Sequence, residues 1–148
     1  MKKITVINGP NLNFLGIREK EVYGSENYES LCEYIENYCS EKNIEVEIFQ
    51  SNSEGQIIDF LQKAYYEKVD GIVINPGAYT HYSYAIFDAL KSVSIPTVEV
   101  HLSDIYNRED FRKVSVTAPA CVKQIYGKGK DGYIEAIKFL VENNKINE

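Results

Sequence analysis

Apolar positions along this chain follow two periods that take turns. Short runs rich in β-branched residues, Ile4-Thr5-Val6-Ile7, Val46-Glu47-Ile48-Phe49, Ile72-Val73-Ile74 and Val98-Glu99-Val100, are separated by longer stretches in which apolar residues recur every three or four positions. That alternation predicts βαβ units and a parallel sheet. Strands are expected at Lys3–Asn8, Ile44–Gln50, Gly71–Asn75 and Thr97–His101, with a weaker fifth near Ala120–Ile125. The helical spacing is carried by Tyr28, Leu31, Tyr34, Ile35 and Tyr38, then by Ile57, Ile58, Leu61, Ala64 and Tyr65. Ser53-Glu54-Gly55-Gln56 has the form of a capping box opening the second of these helices. A third helix is expected from about Tyr82 to Ser92, ending before Pro96, and a fourth on Ile134, Ile137, Leu140 and Val141. The predicted fold is one α/β domain over residues 1–148, a flavodoxin-like doubly wound sheet of five parallel strands with helices on both faces.

Composition narrows the function more than the fold. A chain of 148 residues with 44% hydrophobic content suffices for one packed core. The formal charge of −6, with no sustained basic run, argues against nucleic acid as a partner. No stretch is apolar for long enough to span a bilayer, and the apolar run after Met1-Lys2-Lys3 stops at Asn8-Gly9-Pro10, short of a signal sequence. Cys32, Cys39 and Cys121 form neither a CxxC pair nor a cluster with histidine, so reduced thiols in a cytoplasmic protein are expected, with no metal site.

In open parallel sheets, ligands bind beyond the carboxyl ends of the strands, where the strand order reverses. Strands one, three and four should end at Asn8, Asn75 and His101, which places three segments at one edge. The first, Asn8-Gly9-Pro10-Asn11-Leu12-Asn13, has neither of the glycine patterns that wrap a pyrophosphate or triphosphate, so a nucleotide cofactor is disfavoured. Its asparagines suit hydrogen bonds to a small hydroxylated molecule or an ordered water, and equally suit a turn. Gly16 to Gly24 reads as a charged loop of the length used for lids. Were it to bring Arg18 near Tyr23, the guanidinium would favour tyrosinate and turn a weak phenol into a base. Lowering a phenol's pKa from about 10 to about 8 takes roughly 2.7 kcal/mol of preferential stabilisation of the anion. The same two residues also fit an ordinary exposed loop. Glu99 and His101, two apart on a strand, point to one face. A carboxylate beside an imidazole fixes its tautomer, which makes His101 a candidate general acid, although a core histidine satisfied by Glu99 has the same pattern. His81, just ahead of a helix, is a candidate hydrogen-bonding ligand.

Asn8-Gly9-Pro10-Asn11-Leu12-Asn13 with Leu15-Gly16, Arg18-Glu19 and Tyr23-Gly24 is the first of three motif groups that belong together. The second is Asn75-Pro76-Gly77-Ala78-Tyr79-Thr80-His81 with Asp88-Ala89-Leu90, and the third Glu99-Val100-His101-Leu102-Ser103 with Arg108-Glu109 and Phe111-Arg112. In order and spacing, over nearly the whole chain, they resemble type II 3-dehydroquinate dehydratases. The resemblance implies reversible dehydration of 3-dehydroquinate to 3-dehydroshikimate by anti elimination through an enolate, a step of the shikimate pathway, with no metal and no organic cofactor. It implies Tyr23 as the base at C2, Arg18 as the group stabilising its anion, and Asn11 as the holder of the water that stabilises the enolate oxygen. His101, oriented by Glu99, would protonate the departing C1 hydroxyl. Asn75, His81 and Arg112 would hold substrate hydroxyls, and backbone groups at Leu102 and Ser103 the carboxylate. Asp88 would reach a neighbouring subunit's site in a homododecamer built from trimers.

Phe14, Phe87, Asp104 and Tyr106 stand where members commonly have Leu, Arg, Asn and His, and the segment Lys113 to Cys121 lacks the usual His-rich start. None of these removes a residue with an implied catalytic role. Two other classes fit the residues less well. One is a non-catalytic small-molecule binding module of flavodoxin-like fold, which would tolerate loss of Tyr23. The other is a hydrolase using Ser or Cys with His101, for which no G-x-S-x-G elbow exists.

Overall fold

The computed structural model describes residues 1–17 and 26–143. Strands β1 (Lys3–Asn8), β2 (Glu45–Gln50), β3 (Gly71–Asn75), β4 (Thr97–His101) and β5 (Lys123–Tyr126) form one parallel sheet in the order β2-β1-β3-β4-β5. This is the flavodoxin-like order expected from the sequence. Helices α1 (Tyr28–Glu41) and α4 (Asp131–Asn143) cover one face, and α2 (Glu54–Tyr66) and α3 (Tyr84–Val93) the other.

Alternation along each strand builds the two cores. Ile4 and Val6 pack with Val73, Val98 and Val100 against Leu31 and Ile35 of α1 and Ala136, Ile137 and Leu140 of α4. Ile7, Ile72 and Ile74 point the other way, onto Ile57 and Leu61 of α2 and Ile86 and Leu90 of α3. Inner strands sandwiched in this manner are buried along their whole length, as β3 and β4 are, and β3 accordingly reads as a nearly unbroken apolar run.

Besides β2 starting one residue late, at Glu45, the elements depart from the sequence expectation in four places. The fifth strand starts at Lys123 rather than near Ala120, because Ala118–Ala120 with Pro119 forms a 3-10 turn first. The third helix starts at Tyr84, where Ser83 Oγ accepts from Ile86 N at 3.0 Å, since Gly77–His81 is itself a 3-10 turn. At α2 only half of the capping box forms. Ser53 accepts from Gln56 N, but Gln56 Oε1 accepts from Ser51 Oγ at 2.5 Å, and Ser51 Oγ takes the Ser53 N–H. The reciprocal box is found on α1, between Asn27 and Ser30. On α4 the core residue is Tyr133, fully buried, while Ile134 is half-buried.

Two glycines bring the ends of β1 and β3 together at the point where the strand order reverses. A Cβ on Gly9 would stand 2.5 Å from the Pro76 carbonyl oxygen, and Gly9 N donates to Asn75 O at 2.7 Å. Gly77 takes a φ of +60° against the ring of Pro10. Among the described residues no helix is long and apolar enough to cross a membrane.

Candidate active site

The loops after β1, β3 and β4 surround a cleft of about 270 Å³ beyond the carboxyl ends of the strands. Its walls carry Asn11, Asn75, His81, His101, Leu102, Ser103 and Arg112, seven of the residues singled out by sequence, together with Phe14 and Arg108. Arg18 and Tyr23, with the charged loop between them, lie outside the described residues. Asp88 is exposed on α3 and is not part of the cleft wall of its own chain.

His101 closes β4 at 5% exposure, beside Glu99 at 0%. Its Nε2 donates to Glu99 Oε2 at 2.9 Å, so Nδ1 is the nitrogen left to exchange a proton with a ligand in the cleft. Glu99 is a saturated acceptor. Besides His101 it receives Ser115 Oγ at 2.8 Å, Gln124 Nε2 at 2.8 Å, and a short hydrogen bond from Thr117 Oγ1. Burial alone would push this carboxyl up. The hydrogen bond and charge of His101, with the Thr117 and Gln124 donors, outweigh burial and hold it below the ordinary carboxylate value.

A lowered carboxyl stabilises the fold above the unfolded-state value and loses that contribution as pH falls through the folded-state value. Glu99 is therefore expected to contribute fully at neutral pH and to lose that contribution progressively as pH falls below about 4.5. Urea unfolding followed from about pH 7 to about pH 3 is expected to show a shallower acid-side decline of stability for Glu99→Gln than for the wild type.

On the other side of the cleft, Asn75 is held in a buried relay. Its Nδ2 donates to Tyr133 Oη at 2.9 Å, Tyr133 Oη donates to Asn8 Oδ1 at 2.6 Å, and Asn8 Nδ2 donates to Tyr28 Oη at 3.3 Å. Asn75 Oδ1 accepts from Gly77 N at 3.1 Å, which fixes the amide's orientation and leaves one N–H for a ligand. Burial pushes the hydroxyls of Tyr133 and Tyr28 up, so neither ionises and both remain donors. His81 Nδ1 donates to Val114 O at 2.7 Å, leaving Nε2 as an acceptor.

Asn11 takes a left-handed φ of 70°, and its N–H donates to Asn52 Oδ1 at 3.0 Å. Gln50 Nε2 reaches Gly9 O, Asn13 Oδ1 and Asn52 Oδ1, which braces the loop from behind. Arg112 stacks over Phe111, and its Nε lies 2.8 Å from Glu109 Oε2 without hydrogen-bond alignment. That buried Nε has no hydrogen-bond partner among the described residues. Arg108 and Arg112 together give the cleft a cationic wall, suited to a carboxylate.

Cys121 is a poor nucleophile, because burial first and the Glu99 charge second push its thiol up. Among the described residues no group of three or more His, Cys, Asp or Glu is placed to hold a metal ion. Tyr133, Thr80, Ser115, Thr117 and Gln124 are the members of the site that the sequence did not disclose.

The family model for class II dehydroquinases matches residues 2–141. A 3-dehydroquinate dehydratase from Clostridium beijerinckii is 64% identical over 138 residues, covering 93% of this chain and 94% of that protein. One from Fusobacterium nucleatum is 62% identical over 142 residues, covering 95% and 97%. The crystal structure of type II dehydroquinase from Butyrivibrio crossotus superposes with a TM-score of 0.93 at 64% identity, covering 95% of this chain and 97% of that one. That from Propionibacterium acnes gives 0.91 at 38% identity, covering 96% and 97%. Fold, motif order and near full-length identity thus agree, and the chain belongs to the class II dehydroquinase family.

Proposed function

We propose that this chain catalyses the reversible loss of water from 3-dehydroquinate to give 3-dehydroshikimate. The observation that carries the reading is the buried Glu99–His101 pair on the floor of a cleft beneath Asn11, Asn75, His81 and Arg112. It stands in a chain 64% identical to a named 3-dehydroquinate dehydratase.

The elimination needs a base at C2, a donor for the enolate, and an acid for the departing hydroxyl. Tyr23, as tyrosinate beside Arg18, takes the C2 proton and the electron pair passes into an enolate. A water held by Asn11 donates to the enolate oxygen. His101, oriented through Nε2 by Glu99, delivers a proton from Nδ1 to the C1 hydroxyl, which leaves as water while the enolate collapses to the conjugated enone. Asn75, His81 and Arg112 fix the hydroxyls. The Leu102 and Ser103 carbonyls accept from Gly129 and Gly127, which orients this turn so that its N–H groups serve the substrate carboxylate. No cofactor enters the scheme, and each proton taken by Tyr23 is matched by one given by His101.

Assembly as a tetramer of trimers, with Asp88 reaching a neighbour's cleft, completes the proposal. The exposed rings of Tyr82 and Tyr84, at 60% and 68%, beside Asp88 on the α3 side support a contact there. Half-buried Phe87 next to Asp88 makes that contact more apolar than an arginine would. A cytoplasmic location fits the free thiols of Cys32, Cys39 and Cys121.

The test is the ultraviolet absorbance of the enone formed from 3-dehydroquinate, with and without prior chelator or borohydride. Turnover insensitive to both treatments is expected. A folded protein that leaves the absorbance unchanged overturns the reading in favour of a binding module.

A further inference from the structure

Glu99 is bound by more donors than an orienting carboxylate needs, and their distribution is uneven. Oε2 takes His101 Nε2, Ser115 Oγ and Gln124 Nε2, whereas Oε1 takes Thr117 Oγ1 alone. Thr117 is itself fully buried and lies 2.8 Å from Thr80 Oγ1, which is 2.7 Å from Ser115 Oγ. Because Ser115 and Thr117 both donate to Glu99, the single Thr80 proton serves one or the other, and the three hydroxyls form a closed set around the carboxylate. Ala118 N also donates to Ser115 Oγ, at 3.0 Å, tying the set to the backbone.

The donors come from separate parts of the fold. Thr80 lies in the turn that carries His81, Ser115 and Thr117 in the segment after Arg112, and Gln124 in β5. A carboxylate anchored only at Oε2 can rotate about its side chain, and rotation carries away the acceptor that fixes the imidazole. Thr117 stops that rotation by holding Oε1, and Gln124 holds Oε2 where it meets the imidazole.

We infer that Thr117 and Gln124 are positioning residues of the proposed dehydration: they lock the Glu99 carboxylate so that His101 is held with Nε2–H toward Glu99 and Nδ1 toward the cleft. Neither residue lines the cleft, so both act through Glu99. The inference rests on the dehydratase reading for its rate effect, while its effect on the His101 ring does not depend on any substrate.

The chain has only two histidines, so 15N labelling of histidine yields two imidazoles to assign, and His81→Gln identifies which is His101. Spectra at about pH 8 are expected to show the Nε2–H tautomer of His101 in the wild type and a mixture of tautomers in Thr117→Val and Gln124→Leu. kcat is expected to fall about tenfold in each variant with KM unchanged within about twofold, and Thr117→Ser to restore both the tautomer and kcat. Gln124→Leu replaces a half-buried side chain, so it carries the test even where Thr117→Val does not fold. A folded variant that keeps the Nε2–H tautomer overturns the inference, and so does one in which kcat falls in proportion to a rise in KM. A wild-type protein that does not turn over 3-dehydroquinate overturns the functional reading instead and leaves the imidazole spectra to decide this one.

Discussion

His101→Ala is expected to lower kcat about a thousandfold while KM stays within about threefold of the wild type. The reason lies in how separately the cleft is built. Removing the imidazole takes away the group proposed to protonate the leaving hydroxyl. It leaves Asn75 held by Tyr133 and Gly77, His81 held by Val114 O, and the Arg112 guanidinium in place. Ground-state binding should therefore survive. Glu99 keeps Ser115, Thr117 and Gln124 as donors, so the buried carboxylate retains three of its four partners and the fold is expected to persist. His101→Gln retains an N–H within reach of Glu99 and is expected to match the alanine variant in rate while recovering stability. Steady-state kinetics with thermal unfolding checks both. Loss of binding in step with loss of rate would make His101 a substrate ligand rather than an acid.

What the sequence revealed depended on how each residue is held. β1, β3 and β4 were legible to the residue because nearly all their side chains are buried and most of them are β-branched. The two edge strands were less so. β2 is half exposed along its length, and its start differed by one residue. β5, Lys-Gln-Ile-Tyr, buries only Ile125, which left its position to the less specific apolar run of Ala120 to Ile125. Glu99 and His101 could be paired because two positions on a strand share a face. Ser115, Thr117 and Gln124 could not, since they meet Glu99 only through the sheet order and the turns after β3 and β4, and Thr80 reaches it only through Ser115 and Thr117. Tyr133 was hidden differently. It lies one position from the apolar Ile134, and its hydroxyl earns its buried place only by joining Asn8 to Asn75, contacts 125 and 58 residues apart in sequence.

Tyr23→Phe is expected to have the largest effect on turnover of any single change, a loss of about ten thousandfold with folding intact. The described walls of the cleft explain why a base must come from elsewhere. They carry no aspartate, glutamate, lysine, cysteine or tyrosine. Glu99 stands behind His101 with both oxygens occupied, and its carboxyl is held low, which makes it a weak proton acceptor. Of the two histidines, His101 carries the proposed acid role, and His81 has Nδ1 tied to Val114 O. Tyr23 lies between Ile17 and Glu26 in sequence, outside the described residues, and Arg18 precedes it by five positions. Phenylalanine keeps the ring and removes only the ionisable oxygen, so substrate binding is expected to change little. Arg18→Met is expected to act in the same direction by a smaller factor and to move the rise of kcat to higher pH, because a phenol without its guanidinium ionises later. Pre-steady-state and steady-state absorbance with Tyr23→Phe, Arg18→Met and His81→Gln separates the possibilities. Retained turnover in Tyr23→Phe with loss in His81→Gln would transfer the base role to His81 Nε2, the ring nitrogen not bonded to Val114 O.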